Sequence, residues 1–261
     1  MTWTAVGRPA GAGWIAGDEL RDATSGPFRD LLRRIGEVAE TTDRRTIAAS
    51  FAMRFGWASA IAIEGYLRAR RVPDVALVNT SFLFRPSTFF ERVALHEPRG
   101  WCVAGDDDAQ STLIPVPDVA ALRRVLRTTL ADQAAPVVEA LFRWSGFAPR
   151  GTWGMLTSAW VSQFTTYGEP RDDQRALLPE LDAFFAGDDV VAAMRPRLHA
   201  VSVSGSTHLF QRRASCCRIY LLPGNELCAS CPLVGDDERL VRNRAWMTSQ
   251  LTRQAPLPGH R

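Results

Sequence analysis

Cys216-Cys217-Arg218 and Cys228-Ala229-Ser230-Cys231-Pro232 decide how this chain is read, because four of its five cysteines fall within these sixteen residues. An adjacent pair, ten intervening residues and a Cys-x-x-Cys gather soft sulfur ligands, a pattern that asks for a soft metal or for oxidation. Pro223-Gly224-Asn225 lies between the two halves and is predicted to form a tight turn. That turn would fold Cys228 and Cys231 back towards Cys216 and Cys217. The four sulfurs can therefore converge.

Three chemistries compete for them. Two disulfides suit a small secreted protein, but no secretory signal is read here and 261 residues can bury a core without staples. A structural zinc ion is held by four thiolates in a tetrahedron. Zinc sites usually pair two Cys-x-x-Cys knuckles, however, and adjacent cysteines in extended backbone point to opposite faces. A two-iron cluster relaxes that demand by spreading its ligands over two metal atoms, and Pro232 after the last cysteine matches the Cys-Pro ending of some ferredoxin runs. Residue chemistry leaves zinc and iron–sulfur both open.

The runs Arg212-Arg213-Ala214-Ser215-Cys216-Cys217, Pro223-Gly224 and Leu227-Cys228-Ala229-Ser230-Cys231-Pro232-Leu233 together resemble the C-terminal signature of the FhuF-like ferric-siderophore reductases. Upstream, Gly151-Thr152-Trp153-Gly154 resembles that family's Trp-Gly segment. The resemblance implies a 2Fe–2S cluster on Cys216, Cys217, Cys228 and Cys231, and one-electron reduction of a ferric siderophore with release of ferrous iron. The chain offers no nucleotide or flavin site, so electrons are expected from an external donor, a ferredoxin or a flavin reductase. The alternative is a non-enzymatic siderophore-binding or adaptor protein with a structural four-cysteine zinc site.

Composition is that of an ordinary globular protein, with 46% hydrophobic and 23% charged residues. A net charge of +3 is too small to argue for a nucleic-acid partner. No apolar run is read as long enough to span a membrane, and a cytoplasmic location is expected, where free thiolates survive. Every basic residue is arginine. Between Val190 and Asn225 there is no acidic residue, while Arg195, Arg197, Arg212, Arg213 and Arg218 all occur there, with His199 and His208. Arg212, Arg213 and Arg218 neighbour the cysteines and are read as residues that tune the cluster or attract an anionic substrate.

The rest of the chain points to an α+β, mostly helical fold: helices around a small antiparallel β-meander, with an irregular C-terminal cysteine-ligated segment. Residues 1–26 are read as an irregular lead-in. Residues 27–210 form the helical body, offering the siderophore-binding region, and 211–261 the cluster segment packed on that body as one unit. Gly11-Ala12-Gly13-Trp14-Ile15-Ala16 matches a dinucleotide fingerprint in letters, but no buried strand precedes it, and it is read as coincidence. Phe28, Leu31, Leu32, Ile35 and Val38 recur at helical spacing. Asp43 is expected to cap a helix running to about Arg70, with Gly56-Trp57 as a close-packing site. The meander is expected after Pro73, with Cys102 as a core residue, His96 without a partner and Asp106-Asp107-Asp108 as a solvated turn. Helices are expected over 117–144 with a break at Pro136, around Trp153, Trp160 and Phe164, over 172–185 and 190–194, and over 236–250. Leu240, Val241, Ala245 and Leu251 of the last helix are expected to close over the cysteine segment.

Overall fold

Asp43 accepts hydrogen bonds from the backbone N–H groups of Arg45 and Thr46 and so starts the central helix α2 (Arg44–Ala58). It follows α1 (Gly26–Val38), which buries Phe28, Leu31, Leu32 and Ile35 but leaves Val38, at the helix end, exposed. In this computed structural model, which describes residues 4–106, 112–168 and 173–254, the helix does not run unbroken to Arg70. It is interrupted at Ser59, and α3 (Ala60–Ala69) continues it to a left-handed cap at Arg70. The stretch Arg44–Ala69 is long and apolar enough, by length and composition, to cross a membrane, which corrects the sequence expectation. Its most apolar window is 78% buried inside the fold, so that surface is already covered by protein.

The partner that covers it is α5 (Pro149–Tyr167). Gly56 is the contact point: a Cβ there would lie 2.6 Å from the Ala159 Cβ, and Gln163 donates to the Gly56 carbonyl at 2.5 Å. Close packing therefore explains Gly56, whereas Trp57 beside it is exposed. Trp153, Trp160 and Phe164 of α5 are all buried and belong to the core. The long helix α4 (Val119–Ser145) starts at Asp118, which caps the Ala121 N–H at 2.7 Å. It passes through Pro136 without the expected break. Proline removes one helical hydrogen bond, but buried Gln133, Ala134, Val137 and Val138 hold the turns on either side in place.

The lead-in is not irregular. Strands β1 (Thr4–Val6) and β2 (Trp14–Ala16) precede a 3₁₀ turn at Gly17–Arg21. They flank β4 (Thr80–Phe84) and β5 (Phe90–Leu95) in a four-stranded sheet of order β1-β5-β4-β2, with β1 parallel to β5 and the other pairs antiparallel. Strand β2 follows Gly11 and Gly13 instead of preceding them, so the dinucleotide fingerprint is a turn. A second sheet joins β3 (Arg71–Pro73), β6 (Gly100–Val103) and β7 (Leu113–Val116), with β6 parallel to β7. The fold is thus α+β, with the expected meander strands divided between two mixed sheets. Cys102 is buried in β6, and His96 contacts Ser81 Oγ and the Val78 carbonyl. Asp106 pairs with Arg71; Asp107 and Asp108 lie outside the described residues, as do Asp172 and the tail after Gln254.

The chain then forms α6 (Leu178–Phe184) and α7 (Val190–Ala193). A hairpin that the sequence reading missed follows, β8 (Arg197–Val203) paired with β9 (Ser206–Arg212). The closing helix is α8 (Asp236–Gln254). Between β9 and α8 runs the cysteine segment.

Candidate metal centre

Strand β9 ends at Arg212 and delivers Arg213, whose backbone N–H donates to the Ser230 carbonyl at 2.9 Å. This bond draws the second pair of cysteines to the first. Ser215 Oγ donates to the Gly151 carbonyl at 2.7 Å, fixing the segment across the first turns of α5. Gly154 is required at that crossing, since a Cβ there would lie 2.5 Å from Ser215 Oγ and 3.0 Å from the Met194 Cε. The Gly-Thr-Trp-Gly run is therefore the floor of the cysteine segment. Gly154→Ala is expected to push Cys216 off that floor, costing about 1–3 kcal/mol and lowering bound iron. The denaturation midpoint and iron per chain measure the two effects separately.

Adjacent cysteines can face different ways, and here they do. Cys217 is buried and joins the main hydrophobic core, whereas Cys216 is half-buried. Arg218 takes a left-handed conformation (φ 63°) and its N–H points to Cys216 Sγ at 3.3 Å. The reversal expected at Pro223-Gly224-Asn225 is present: the Asn225 N–H donates to the Leu222 carbonyl, and Gly224 has φ 72°. Cys228 and Cys231 then form a knuckle closed by the Cys231 N–H on the Cys228 carbonyl at 2.9 Å. Cys231 is buried and Cys228 exposed, and none of the four cysteines is in a disulfide.

The arginines divide sharply. Arg218 turns its side chain to Asp43 and Thr46 at the start of α2; Thr46 first, and then Arg218, hold the Asp43 carboxyl below its ordinary range. Arg212 bonds the Pro232 carbonyl and approaches Asp236, while Arg195 pairs with Asp182. Acids from other parts of the chain thus answer much of the acid-free stretch. Arg213 is different. It is 6% exposed, its Nη2 lies 2.7 Å from Cys228 Sγ, and no carboxylate pairs with it among the described residues. Burial alone would lower its pKa, but Cys217, Cys228 and Cys231 raise it. Burial raises the Cys216 thiol, with Cys231 and Cys217 adding to the shift and the Arg218 N–H opposing it.

A buried guanidinium is costly unless negative charge faces it, and the charge on offer here is sulfur. Three cysteines, Cys217, Cys228 and Cys231, face this buried cation, soft donors that suit an anionic thiolate-ligated group. Among the described residues, no three Cys, His, Asp or Glu side chains gather closely enough to hold a metal ion, so the full convergence of the four sulfurs expected from the turn is not seen.

Arg239 is a residue that the sequence reading missed. On the inner face of α8 it is 2% exposed and donates to the carbonyls of Ala229 (2.5 Å), Cys231 (3.0 Å) and Val234 (2.5 Å). It stitches the knuckle to the helix. The face of α8 that turns inward carries Arg239, Asn243 and Met247, with Leu240 half-buried, whereas Val241 is 64% exposed and Ala245 is also exposed; the cover expected of Val241 and Ala245 is supplied by Arg239, Asn243 and Met247, and the Leu251 side chain lies outside the described residues. The spacing 239, 243, 247 is the only signal in the sequence, and one arginine in a helix first turn does not declare itself. Arg239→Ala is expected to leave three carbonyls without donors and to cost about 2–4 kcal/mol, read as a lowered melting midpoint of the apo protein.

A family model described as the FhuF 2Fe-2S C-terminal domain matches residues 213–233. That span carries all four cysteines, Arg213 and Arg218. It leaves out Gly154 and Arg239, which hold the segment in place. None of the curated proteins compared with the chain matches it.

Proposed function

We propose that the chain is a cytoplasmic ferric-siderophore reductase, in which Cys216, Cys217, Cys228 and Cys231 hold a 2Fe–2S cluster. The observation that carries this reading is Arg213, a buried cation whose counter-charge is cysteine sulfur. The match of residues 213–233 to an iron–sulfur domain model supports the same chemistry. When bound, such a group would supply one-electron chemistry towards a ferric chelate, with the electron provided in turn by an external ferredoxin or flavin reductase. Oxygen-liganded ferric iron is held by charge, so ferrous iron dissociates more readily.

The protein residues have supporting tasks. Arg213 offsets negative charge on Cys217, Cys228 and Cys231 and would favour the more negative, reduced form. The Arg218 N–H and the Ser230 hydroxyl, 3.4 Å from Cys228 Sγ, polarise individual sulfurs. Exposed Cys228 makes one edge of the segment accessible to solvent, while Cys217 and Cys231 keep the opposite edge in the core. No acid–base or nucleophilic residue is needed for this reaction.

The test is an absorption spectrum of anaerobically purified protein before and after dithionite, with iron, sulfide and zinc assayed on the same sample. A brown protein that bleaches, and whose reoxidation is accelerated saturably by ferric chelates, is the expected result. A colourless protein with about one zinc per chain, refractory to reconstitution with iron and sulfide, overturns it in favour of a structural staple.

A further inference from the structure

Beside the knuckle lies a cavity of about 400 Å³, in the size range of small-molecule sites. Strand β9 and α8 supply two of its walls, the C-terminal half of α5 a third, and Ala229 and Ser230 between the paired cysteines complete the lining. Trp246 projects from α8 with 46% of its surface exposed. Its ring centre stands 5.3 Å from His208 and 5.6 Å from Phe210, perpendicular to the latter. An exposed tryptophan propped by two further rings is a prepared contact face, since aromatic anchors of this kind dominate binding energy.

The polar part of the lining is also informative. Among the described residues, no acidic side chain lines the cavity. Arg242 is answered by Glu238 and by the Leu227 carbonyl, and burial depresses the His208 pKa, keeping that ring neutral near pH 7. Gln211 donates to the Ser158 carbonyl and to Ser162 Oγ, while its buried Oε1 lacks a donor among the described residues. The cavity thus offers ring faces and hydroxyls without strong net charge. One of those hydroxyls, that of Ser230, also touches Cys228 Sγ at 3.4 Å. A ligand seated here is separated from the exposed sulfur by one side chain.

We propose that this cavity docks the ferric chelate, with Trp246 and Phe210 against the organic shell and Ser230 as the wall nearest the cysteine ligands. The inference rests on the reductase reading and adds to it the place where the substrate sits. Its chemistry is that of an oxygen-donor chelate bearing amide or aromatic arms. Stacking and hydrogen bonding to the arms, not ion pairing to the metal, would supply the affinity.

The test uses the full-length, cluster-loaded protein and gallium(III), which takes the place of ferric iron in oxygen-donor chelates but accepts no electron. Gallium trihydroxamate and gallium tricatecholate are titrated separately by calorimetry, so that the two arms distinguish a near-neutral chelate from a strongly anionic one. At least one is expected to bind the wild type. Trp246→Ala is expected to weaken that binding about ten-fold, the loss of one aromatic anchor, with a matching rise in KM for the ferric chelate and unchanged iron and sulfide content. Trp246→Phe should recover most of the affinity. Val241→Ala, on the exposed side of the same helix, should retain all of it. Binding that is within two-fold of wild type in Trp246→Ala, in a protein that does reduce ferric chelates, overturns the docking site and leaves the reductase reading intact. A wild type that neither binds gallium chelates nor reduces ferric ones overturns both.

Discussion

Cys228→Ser is expected to abolish bound iron and sulfide, and with them chelate-dependent reoxidation, without unfolding the protein. The argument turns on exposure. Cys217 and Cys231 are 6% and 2% exposed, so replacing either also disturbs packing, and a loss of iron there would be ambiguous. Cys228 is exposed, so its replacement changes donor chemistry and little else. A serine hydroxyl stays protonated at neutral pH and is a harder, poorer ligand for iron than thiolate. Iron and sulfide should fall from about two of each per chain to background. The stability of the apo protein should stay within about 0.5 kcal/mol of wild type, as for other surface substitutions. Cys102→Ser is the control: the residue is buried in β6, away from the segment, and should lower stability while keeping its iron. A Cys228→Ser protein that holds a full complement of iron and reduces chelates at the wild-type rate would remove Cys228 from the ligand set.

How much of this was legible in advance depended on whether the signal was local. Asp43 capping α2, the apolar spacing of Phe28 to Ile35, and the turn at Pro223-Gly224 are written in adjacent residues, and each appears where expected. Strands β1 and β2 are three residues long and gain their identity only from β5 and β4, some seventy to ninety positions away. Hairpin β8–β9 was obscured because its arginines and histidines drew an electrostatic reading while its alternation went unread. In the site, sulfur spacing declared the cysteines. It could not rank the arginines. Arg218 and Arg213 both neighbour a cysteine in sequence, yet the first swings to Asp43 and the second is buried against Cys228. That difference arises from where α2 begins in space, which no window around residue 213 contains. Arg239 was hidden for the same reason, since its partners are carbonyl groups whose positions depend on the folded knuckle.

Arg213→Met separates an electrostatic role from a structural one, because the two predict opposite changes. A guanidinium roughly 4–5 Å from the charge it faces contributes about 3–4 kcal/mol at an effective dielectric constant near 20. For a one-electron couple that corresponds to a fall in reduction potential on the order of 150 mV when the cation is removed. The sign follows from charge: the reduced form is the more negative one and loses more by losing its cation. Reduction by the external donor should therefore slow, and reoxidation by a ferric chelate should quicken. The apo protein should lose little, since without the charge it faces a buried guanidinium is itself costly and a methionine of similar length removes that cost, packing against Met53, whose Sδ lies 3.8 Å from the Arg213 Nη1. Arg213→Lys keeps the charge but not the planar fork, and should shift the potential less. Spectroelectrochemical titration of the three proteins measures this directly. A shift below about 30 mV, half of a ten-fold change in a one-electron equilibrium, together with a clear loss of apo stability, would make Arg213 a packing residue and leave the four sulfurs without their counter-charge.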